Sequence, residues 1–448
     1  MLKKLIKISV KIVQRYLPEP FIFAILLTFI AFIVAMFVCK QSPIEVMDNW
    51  GNGVWSLLAF SMQMALVLVC GSTLADAPVI KKYLHHLSKL PKTPVAAISM
   101  VSLISALSCW INWGFGLIVS VVFAKSVARE LKNVDYRILI ASAYSGFVVW
   151  HAGLSGSIPL AMATEGDALR ETTMNTVQNA VDISQTILAL PNIIIVLLVI
   201  ISLVIVNSLM HPKDNIVVID PKLIEEKEQP QDIITTPAQK LEHSKIITWL
   251  ISFLGFSFII YKLFIQGVSL DLNYVILLFL FFGIILHKTP INYVNSFSKA
   301  ANGAAGILLQ FPFYAGIMGI MIGETNSISL AGEISRVCIS ISNEHTFPLL
   351  SFISAGIINV FVPSGGGQWA VQAPIMMPAG ADLGVNSAIT SMAIAWGDAW
   401  TNLIQPFWAI PALAIAKLGA KDIMGYCFIN LLVTGIIIAF GLFVWSFI

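Results

Sequence analysis

Between Phe347 and Gly380 the chain is apolar almost throughout, yet its middle reads Pro363-Ser364-Gly365-Gly366-Gly367-Gln368. Each glycine inside a helix costs about 1 kcal/mol relative to alanine. In lipid the cost is greater, because backbone groups released from a helix meet no water there. Such a break persists at membrane depth only where protein buries it or where it lines a polar cavity. The break therefore predicts a binding site, and the rest of the chain has to be arranged to hold it.

The surroundings fit that demand. Of 448 residues, 57% are hydrophobic and 11% charged, against about 25% charged in soluble domains. The length suits roughly nine to twelve membrane spans. A net charge of +2 gives no reason to expect a nucleic-acid partner. Cys39, Cys70, Cys109, Cys338 and Cys427 show no metal-ligand spacing and read as small core residues. Residues 2–17 carry Lys3, Lys4, Lys7, Lys11 and Arg15 with no small-residue cleavage site after them. They read as a basic amphipathic segment on the cytoplasmic surface.

Spans are predicted at 21–39, 57–75, 189–208, 247–265, 272–287, 302–323 and 424–447, with loops at 40–55 and 324–345. Residues 163–186 are polar and read as external. The hydrophilic stretch 211–245, with Pro212, Pro221, Pro230 and Pro237, reads as a flexible linker. Residues 94–123 are apolar but broken at Ser108-Cys-Trp-Ile-Asn-Trp-Gly-Phe-Gly116. Basic segments lie on both sides of them: Lys81 to Lys92 before, and Lys125, Arg129, Lys132 and Arg137 after. A single span would put these on opposite faces, against the positive-inside tendency. A re-entrant hairpin puts both in the cytoplasm, with arms of about 13 residues reaching about 20 Å. Two further crossings are interrupted: 138–164 at Trp150–Pro159, and 387–416 at Gly397–Pro406.

Ser102-Leu-Ile-Ser-Ala106 recurs as Ser351-Phe-Ile-Ser-Ala355. The order of span, span, broken segment, broken crossing and span recurs with it. The fold expected is an all-α polytopic membrane protein of two structural repeats, each with a re-entrant hairpin and a broken transmembrane helix. Residues 1–210 form the first repeat, 211–246 a cytoplasmic linker, 247–271 an extra linking span, and 272–448 the second repeat. The extra span reverses the second unit, so the repeats are inverted. Lys288, Lys299, Lys417 and Lys421 then lie inside, and the loop with Glu324, Glu333 and Glu344 lies outside. The N-terminus is cytoplasmic and the C-terminus external. Inverted repeats with matching helix breaks point to a secondary transporter with its site near the midplane.

The chemistry follows from the breaks. A helix starting at Gln368 would aim its free N–H groups at an anion, with Gly365, Gly366 and Gly367 allowing close approach. Ser364, Gln368 and Gln372 add hydrogen bonds, and Ser108 and Asn112 serve the other tip. Glycines that merely permit close helix packing are the plainer alternative. In the second broken crossing Asp398 is the acidic residue within an apolar region, and it is expected to take a cation or a proton. Thr401, Asn402 and Gln405 are placed to help. His151, with Ser155 and Ser157 nearby, is the titratable group of the first broken crossing. The structural alternatives are a helix-capping or ion-paired Asp398 and a satisfied core His151. Trp110, Trp113, Trp150, Trp369, Trp396, Trp400 and Trp408 cluster near the breaks and suggest apolar walls for an aliphatic ligand.

At these residues the sequence resembles the short-chain fatty acid transporter family. The resemblance is carried by Leu17-Pro-Glu-Pro-Phe21, Met62-Gln-Met-Ala-Leu66 and Leu309-Gln-Phe-Pro-Phe-Tyr-Ala-Gly316. More specific are Pro363-Ser-Gly-Gly-Gly-Gln-Trp-Ala-Val-Gln372 and Trp396-Gly-Asp-Ala-Trp-Thr-Asn402. It implies uptake of small monocarboxylates such as butyrate or acetoacetate across a bacterial inner membrane. It also implies kinship with an ion transporter superfamily whose members pair re-entrant hairpins, and by that kinship a homodimer. Sodium–carboxylate members of that superfamily carry Ser-Asn-Thr at the tips; neither tip here does, so their sodium mechanism does not transfer. The reading is a symporter with no cofactor, coupled to H+ or Na+. A dicarboxylate carrier is the alternative, disfavoured because no arginine lies near either break. An intramembrane acyltransferase using His151 lacks a convincing nucleophile, and His-Glu-x-x-His metal motifs are absent. A channel is disfavoured by the broken, repeated architecture.

Overall fold

The computed structural model describes residues 2–212, 216–218, 235–268, 272–323 and 329–448, and the elements among them are helical. Pro221 and Pro230 of the linker and Glu324 of the acidic loop lie outside the described residues, as do the side chains of Lys3, Lys4 and Lys7. Eight of the described helices are long and apolar enough to cross a membrane. Asn273–Leu286, Phe347–Phe361 and Pro406–Ala416 are shorter apolar helices.

The two broken apolar stretches are helix pairs. Pro94–Ile111 and Trp113–Glu130 form the first hairpin, and Phe347–Phe361 and Gly365–Asp382 the second. The first break is a single residue, Asn112, rather than the whole run from Ser108 to Gly116. Its arms are 18 residues each, so they rise about 27 Å, longer than expected. The second arm runs on through Lys125 and Arg129. Each hairpin is followed by a broken crossing. The first is Tyr136–Ser145, a 3-10 turn at Gly146–Ala152, and Ser157–Met162. The second is Ser387–Thr401, a 3-10 turn at Asn402–Ile404, and Pro406–Ala416. The helices Leu190–Leu209 and Ala420–Trp445 come after the first and the second broken crossing.

The recurring Ser-x-Ile-Ser-Ala has a packing role in both units. A Cβ on Gly146 would lie 2.3 Å from Ser105 Oγ and 2.4 Å from Ala106 N. A Cβ on Gly397 would lie 2.3 Å from Phe352 O and 2.6 Å from Ala355 Cβ. Each broken crossing thus lays a glycine against the same small-residue site of its own hairpin. The glycines are separated by 397 − 146 = 251 positions, close to the 249 of the motif. The helices after the two broken crossings meet through amides: Asn430 Nδ2 donates to Asn207 Oδ1 (2.8 Å), and Asn207 Nδ2 donates to Ser102 Oγ and Ser145 Oγ.

Two expected loops are partly helical. Pro43–Gly53 is a helix with a capping box between Ser42 and Glu45, inside the segment read as loop 40–55. Leu330–Ser340 is a helix capped by Ser329, inside the acidic loop 324–345. The basic N-terminal helix, Leu2–Tyr16, packs along the last helix, where Ser9 Oγ donates to Gly425 O (2.8 Å). The linker is tied at its start, since the Val217 N–H donates to Asp135 Oδ2 (2.9 Å) and the Tyr136 N–H to Val217 O (2.7 Å). The five cysteines are buried free thiols.

Candidate functional site

The first broken crossing is the hub. Gly153 lets its chain turn closely against the first hairpin: a Cβ there would sit 2.1 Å from Trp110 O. The Leu154 N–H donates to Trp110 O (2.8 Å), and Ser155 Oγ accepts from the Trp113 N–H (3.0 Å). The second hairpin reaches the same turn from its other side. A Cβ at Gly365 would lie 2.7 Å from His151 Cε1 and 3.0 Å from Trp150 Cη2. Glycine is needed at 365 because the helix start rests directly on the imidazole.

His151 and Asp398 meet there. His151 Nδ1 is 2.8 Å from Asp398 Oδ2, and both side chains are fully buried. The Ile158 N–H donates to His151 Nε2 (3.0 Å), which makes Nε2 an acceptor. The proton of the neutral ring therefore sits on Nδ1 and is donated to Asp398. Trp150 stacks on the same ring at 4.1 Å between centroids. The pairing spans 247 positions, and the sequence reading left both residues without a partner.

Asn359, in the first arm of the second hairpin, ties Asp398 to its neighbours. Its Nδ2 lies 2.9 Å from Asp398 O, 2.9 Å from Thr401 Oγ1 and 2.8 Å from Asn402 Oδ1. Thr401 Oγ1 lies 3.0 Å from Gly356 O. Tyr144 donates to Asn402 O (2.5 Å) and Gln405 Nε2 to Val360 O (2.5 Å). Sequence reasoning missed Asn359 as a site residue; an amide inside Gly-Ile-Ile-Asn-Val-Phe was the available signal. Gln368 Nε2 donates to Ala355 O and Gln372 Oε1, both at 2.9 Å, and Gln372 Nε2 donates to Ser354 Oγ (3.1 Å). Gln372 thus spends both ends of its amide bracing the hairpin arms.

Three acceptor oxygens of these side chains are buried without a partner among the described residues: Asp398 Oδ1, Asn359 Oδ1 and Gln368 Oε1. Flipping the amides does not help, because both nitrogens already donate to backbone carbonyls. A buried polar atom left unpaired costs about 1–3 kcal/mol. Trp150 Nε1, Trp408 Nε1 and Asn402 Nδ2 are buried donors without a partner.

The two tips share one geometry. Asn112 has φ −153°, ψ 120° and Ser364 φ −150°, ψ 110°, and each side chain caps the arm that follows. Asn112 Oδ1 accepts from the Phe115 N–H (3.0 Å), and Ser364 Oγ from the Gly367 N–H (3.3 Å). The second helix begins at Gly365, not at Gln368 as expected, so the glycines are its first turn. Capping engages Gly367, and Gln368 bonds back to Ser364 O. Gly365 and Gly366 then carry the first N–H groups of the helix, and open space lies beyond the Cβ direction of Gly366. Ser108 is one turn before the first tip, where its carbonyl accepts from the Asn112 N–H (2.9 Å).

The family profile for short chain fatty acid transporters matches residues 1–445. The chain belongs to the short-chain fatty acid transporter family. It is 42% identical over 448 residues to a protein of Escherichia coli (strain K12) named "Putative short-chain fatty acid transporter", covering 99% of each chain. A Haemophilus influenzae protein of the same name is 41% identical over 449 residues, covering 99% of this chain and all of its own. Among solved structures, the Alcanivorax borkumensis YdaH transporter is similar with a TM-score of 0.45 and 14% identity, covering 96% of this chain and 98% of that one. As a member of this family, the chain is a multi-pass membrane transporter and not an enzyme. In this transporter, three of the seven tryptophans singled out in the sequence form one cluster beside His151. Trp113 lies 5.9 Å from Trp150 and 5.2 Å from Trp408, and Phe147 stacks on Trp150 at 5.7 Å. Trp396 and Trp400 turn their indole N–H groups to Asn192 Oδ1 and Leu431 O instead.

Proposed function

We propose that the protein is a symporter of short-chain monocarboxylates such as butyrate or acetoacetate, driven by a cation that binds at Asp398. The observation that carries this reading is the buried Asp398–His151 pair with three unpartnered oxygens beside the glycine start of a helix. The substrate carboxylate is held by the N–H groups of Gly365 and Gly366 at one tip, with Ser364 capping that turn, and by Ser108 and Asn112 at the other. Trp113, Trp150, Trp408 and Phe147 wall its short alkyl chain. Glycine N–H groups without a nearby arginine suit one negative charge better than two, which favours a monocarboxylate over a dicarboxylate.

Na+ is the coupling ion that the oxygen set favours. Hard cations take several oxygen ligands, and Asp398 Oδ1, Asn359 Oδ1 and Gln368 Oε1 are acceptors lacking a donor. Thr401 and Asn402 position Asn359 for this role, and Gln372 positions Gln368. The second reading, H+ coupling, is favoured by the His151–Asp398 contact: a proton arriving at Asp398 is shared with a ring already bonded to it. The chain sits in a bacterial inner membrane with its N-terminus cytoplasmic and its C-terminus external, and pairs as a homodimer. Its hairpins and broken crossings move against the remaining helices during alternating access.

Labelled butyrate uptake in proteoliposomes, with Na+ and H+ gradients imposed separately, tests the proposal. Accumulation under a Na+ gradient alone supports the oxygen cluster, and accumulation under a H+ gradient alone supports the pair. Asp398→Asn should abolish gradient-driven accumulation in either case. Lack of butyrate and acetoacetate counterflow by the wild type overturns the substrate assignment.

A further inference from the structure

A second site lies away from the glycine turn, in a cavity of about 820 Å³ at the far end of the first hairpin. Six cationic side chains line it: Lys81, Lys82, Lys125, Arg129, Lys299 and Lys417. Among the described residues two carboxylates line it, and both are engaged. Asp76 pairs with Lys81 (2.9 Å) and accepts from Ser296 Oγ (3.1 Å), and Glu130 pairs with His85 (2.9 Å). Among the described residues no carboxylate lies within 4.0 Å of Lys82, Lys125, Arg129, Lys299 or Lys417. Arg129 Nε is buried without a hydrogen-bond partner. Lys125 Nζ reaches only a carbonyl, that of Ile415, at 3.4 Å.

Positive charges gathered in one partly enclosed space repel one another and concentrate anions. A monocarboxylate would neutralise one of them and fill little of the volume, which falls in the range of about 300–1,000 Å³ typical of larger ligands. Phosphate groups match lysine and arginine donors and carry the charge required. We propose that this cavity binds a multivalent phosphate anion. The chemistry is shared by the head group of an anionic phospholipid and by a soluble phosphorylated solute.

The cavity also bridges elements of different kinds. Lys125 and Arg129 belong to the first hairpin, and Lys417 ends the second broken crossing. Lys81 and Lys82 lie on the helix Pro78–Ser88, and Lys299 on Pro290–Ala301. An anion held by both groups pins the hairpin to the surrounding helices and slows transport. The pinning clause rests on the transport reading above; the binding clause does not.

The test uses the full-length protein in neutral-lipid nanodiscs, with inorganic pyrophosphate as the soluble probe and cardiolipin added to the lipid as the other arm. Binding is read by isothermal titration for pyrophosphate, and by the midpoint of thermal unfolding in both arms. One arm should stabilise the wild type, and the effect should weaken about tenfold in apparent affinity in Lys299→Gln/Lys417→Gln. These two lysines are exposed, so their loss leaves the fold intact; Arg129→Gln should act in the same direction. Stabilisation by pyrophosphate identifies a soluble ligand, and stabilisation by cardiolipin alone identifies a lipid. Equal responses of wild type and double variant in both arms, or none in either, overturn the site. Counterflow with and without the stabilising anion then tests pinning separately: unchanged rates despite binding remove the clamp and leave the site.

Discussion

The glycine at 365 carries more of the site than its size suggests. A methyl group there would press on both His151 and Trp150, so the helix start, the imidazole and the indole can hold their present spacing only with hydrogen as the side chain. Gly365→Ala should therefore cut butyrate exchange at least tenfold while destabilising the protein by about 1–3 kcal/mol, the usual range for overpacking. Exchange rates set beside thermal unfolding in detergent check it. Gly366→Ala faces open space and should leave stability nearly unchanged, which makes it the control for a purely steric effect. Asp398 and His151 were each legible from sequence, because a titratable group in an apolar stretch is conspicuous. Their contact was not, since nothing in local pattern relates residues in different crossings. The orphaned oxygen of Gln368 was equally hidden: it is defined by which neighbours already use the amide nitrogen, a property of packing.

At the scale of the element, breaks were easier to read than their limits. Glycine and proline mark where a helix cannot continue, but the residue that restarts it is set by capping. Ser364 caps and so draws all three glycines into the helix. Asn112 does the same for the first hairpin, so removing its side chain oxygen should matter: Asn112→Ala is expected to cost about 0.5–2 kcal/mol, measured by thermal or denaturant unfolding. The helix Pro43–Gly53 was missed although Ser42-Pro43-Ile44-Glu45 has the capping-box spacing; its Asn, Asp and Gly content masked the signal. The linker's first residues gave no hint of order, since their anchor is a backbone N–H 76 positions away. There the Asp135 N–H donates to His211 Nε2 (3.1 Å). Burial pushes the His211 pKa down, against a smaller opposing pull from Asp135. The unfolded chain then binds a proton at higher pH, near 6.5, than the folded chain does. Stability from this anchor is complete above that value and is lost as pH falls toward the lowered folded pKa. Hydrogen-exchange protection at residues 135–138 and 216–218, taken relative to the intrinsic rate at each pH, should fall between about pH 6.5 and 5, and His211→Ala should remove the dependence.

For the whole molecule, the expectation of a repeat rests on a small-residue motif and on broken apolar segments that recur at nearly one spacing. The face proposed for each loop rests on charge, and the basic cavity bears on it. Residues assigned to the cytoplasm from distant parts of the sequence, Lys81, Lys125, Lys299 and Lys417, line one space. Single cysteines at 82, 299 and 417, in a background lacking the five native thiols, should all react with an impermeant maleimide only in inside-out vesicles. A cysteine at 448 should react only in right-side-out vesicles or whole cells. Labelling of 82 and 417 from opposite sides would sink the inverted arrangement.

The long separation between His151 and Asp398 has a consequence for how the chain is made. At about 5–20 residues per second, the ribosome needs roughly 12–50 s to add the 247 positions between them. Through that interval the histidine is in the chain without its carboxylate partner. The carboxylate, the costlier of the two to leave alone there, is synthesised second and arrives when its donor is already in place. Order of synthesis thus spares the nascent protein a lone buried anion, and a chain with the two units exchanged in order would have to endure one.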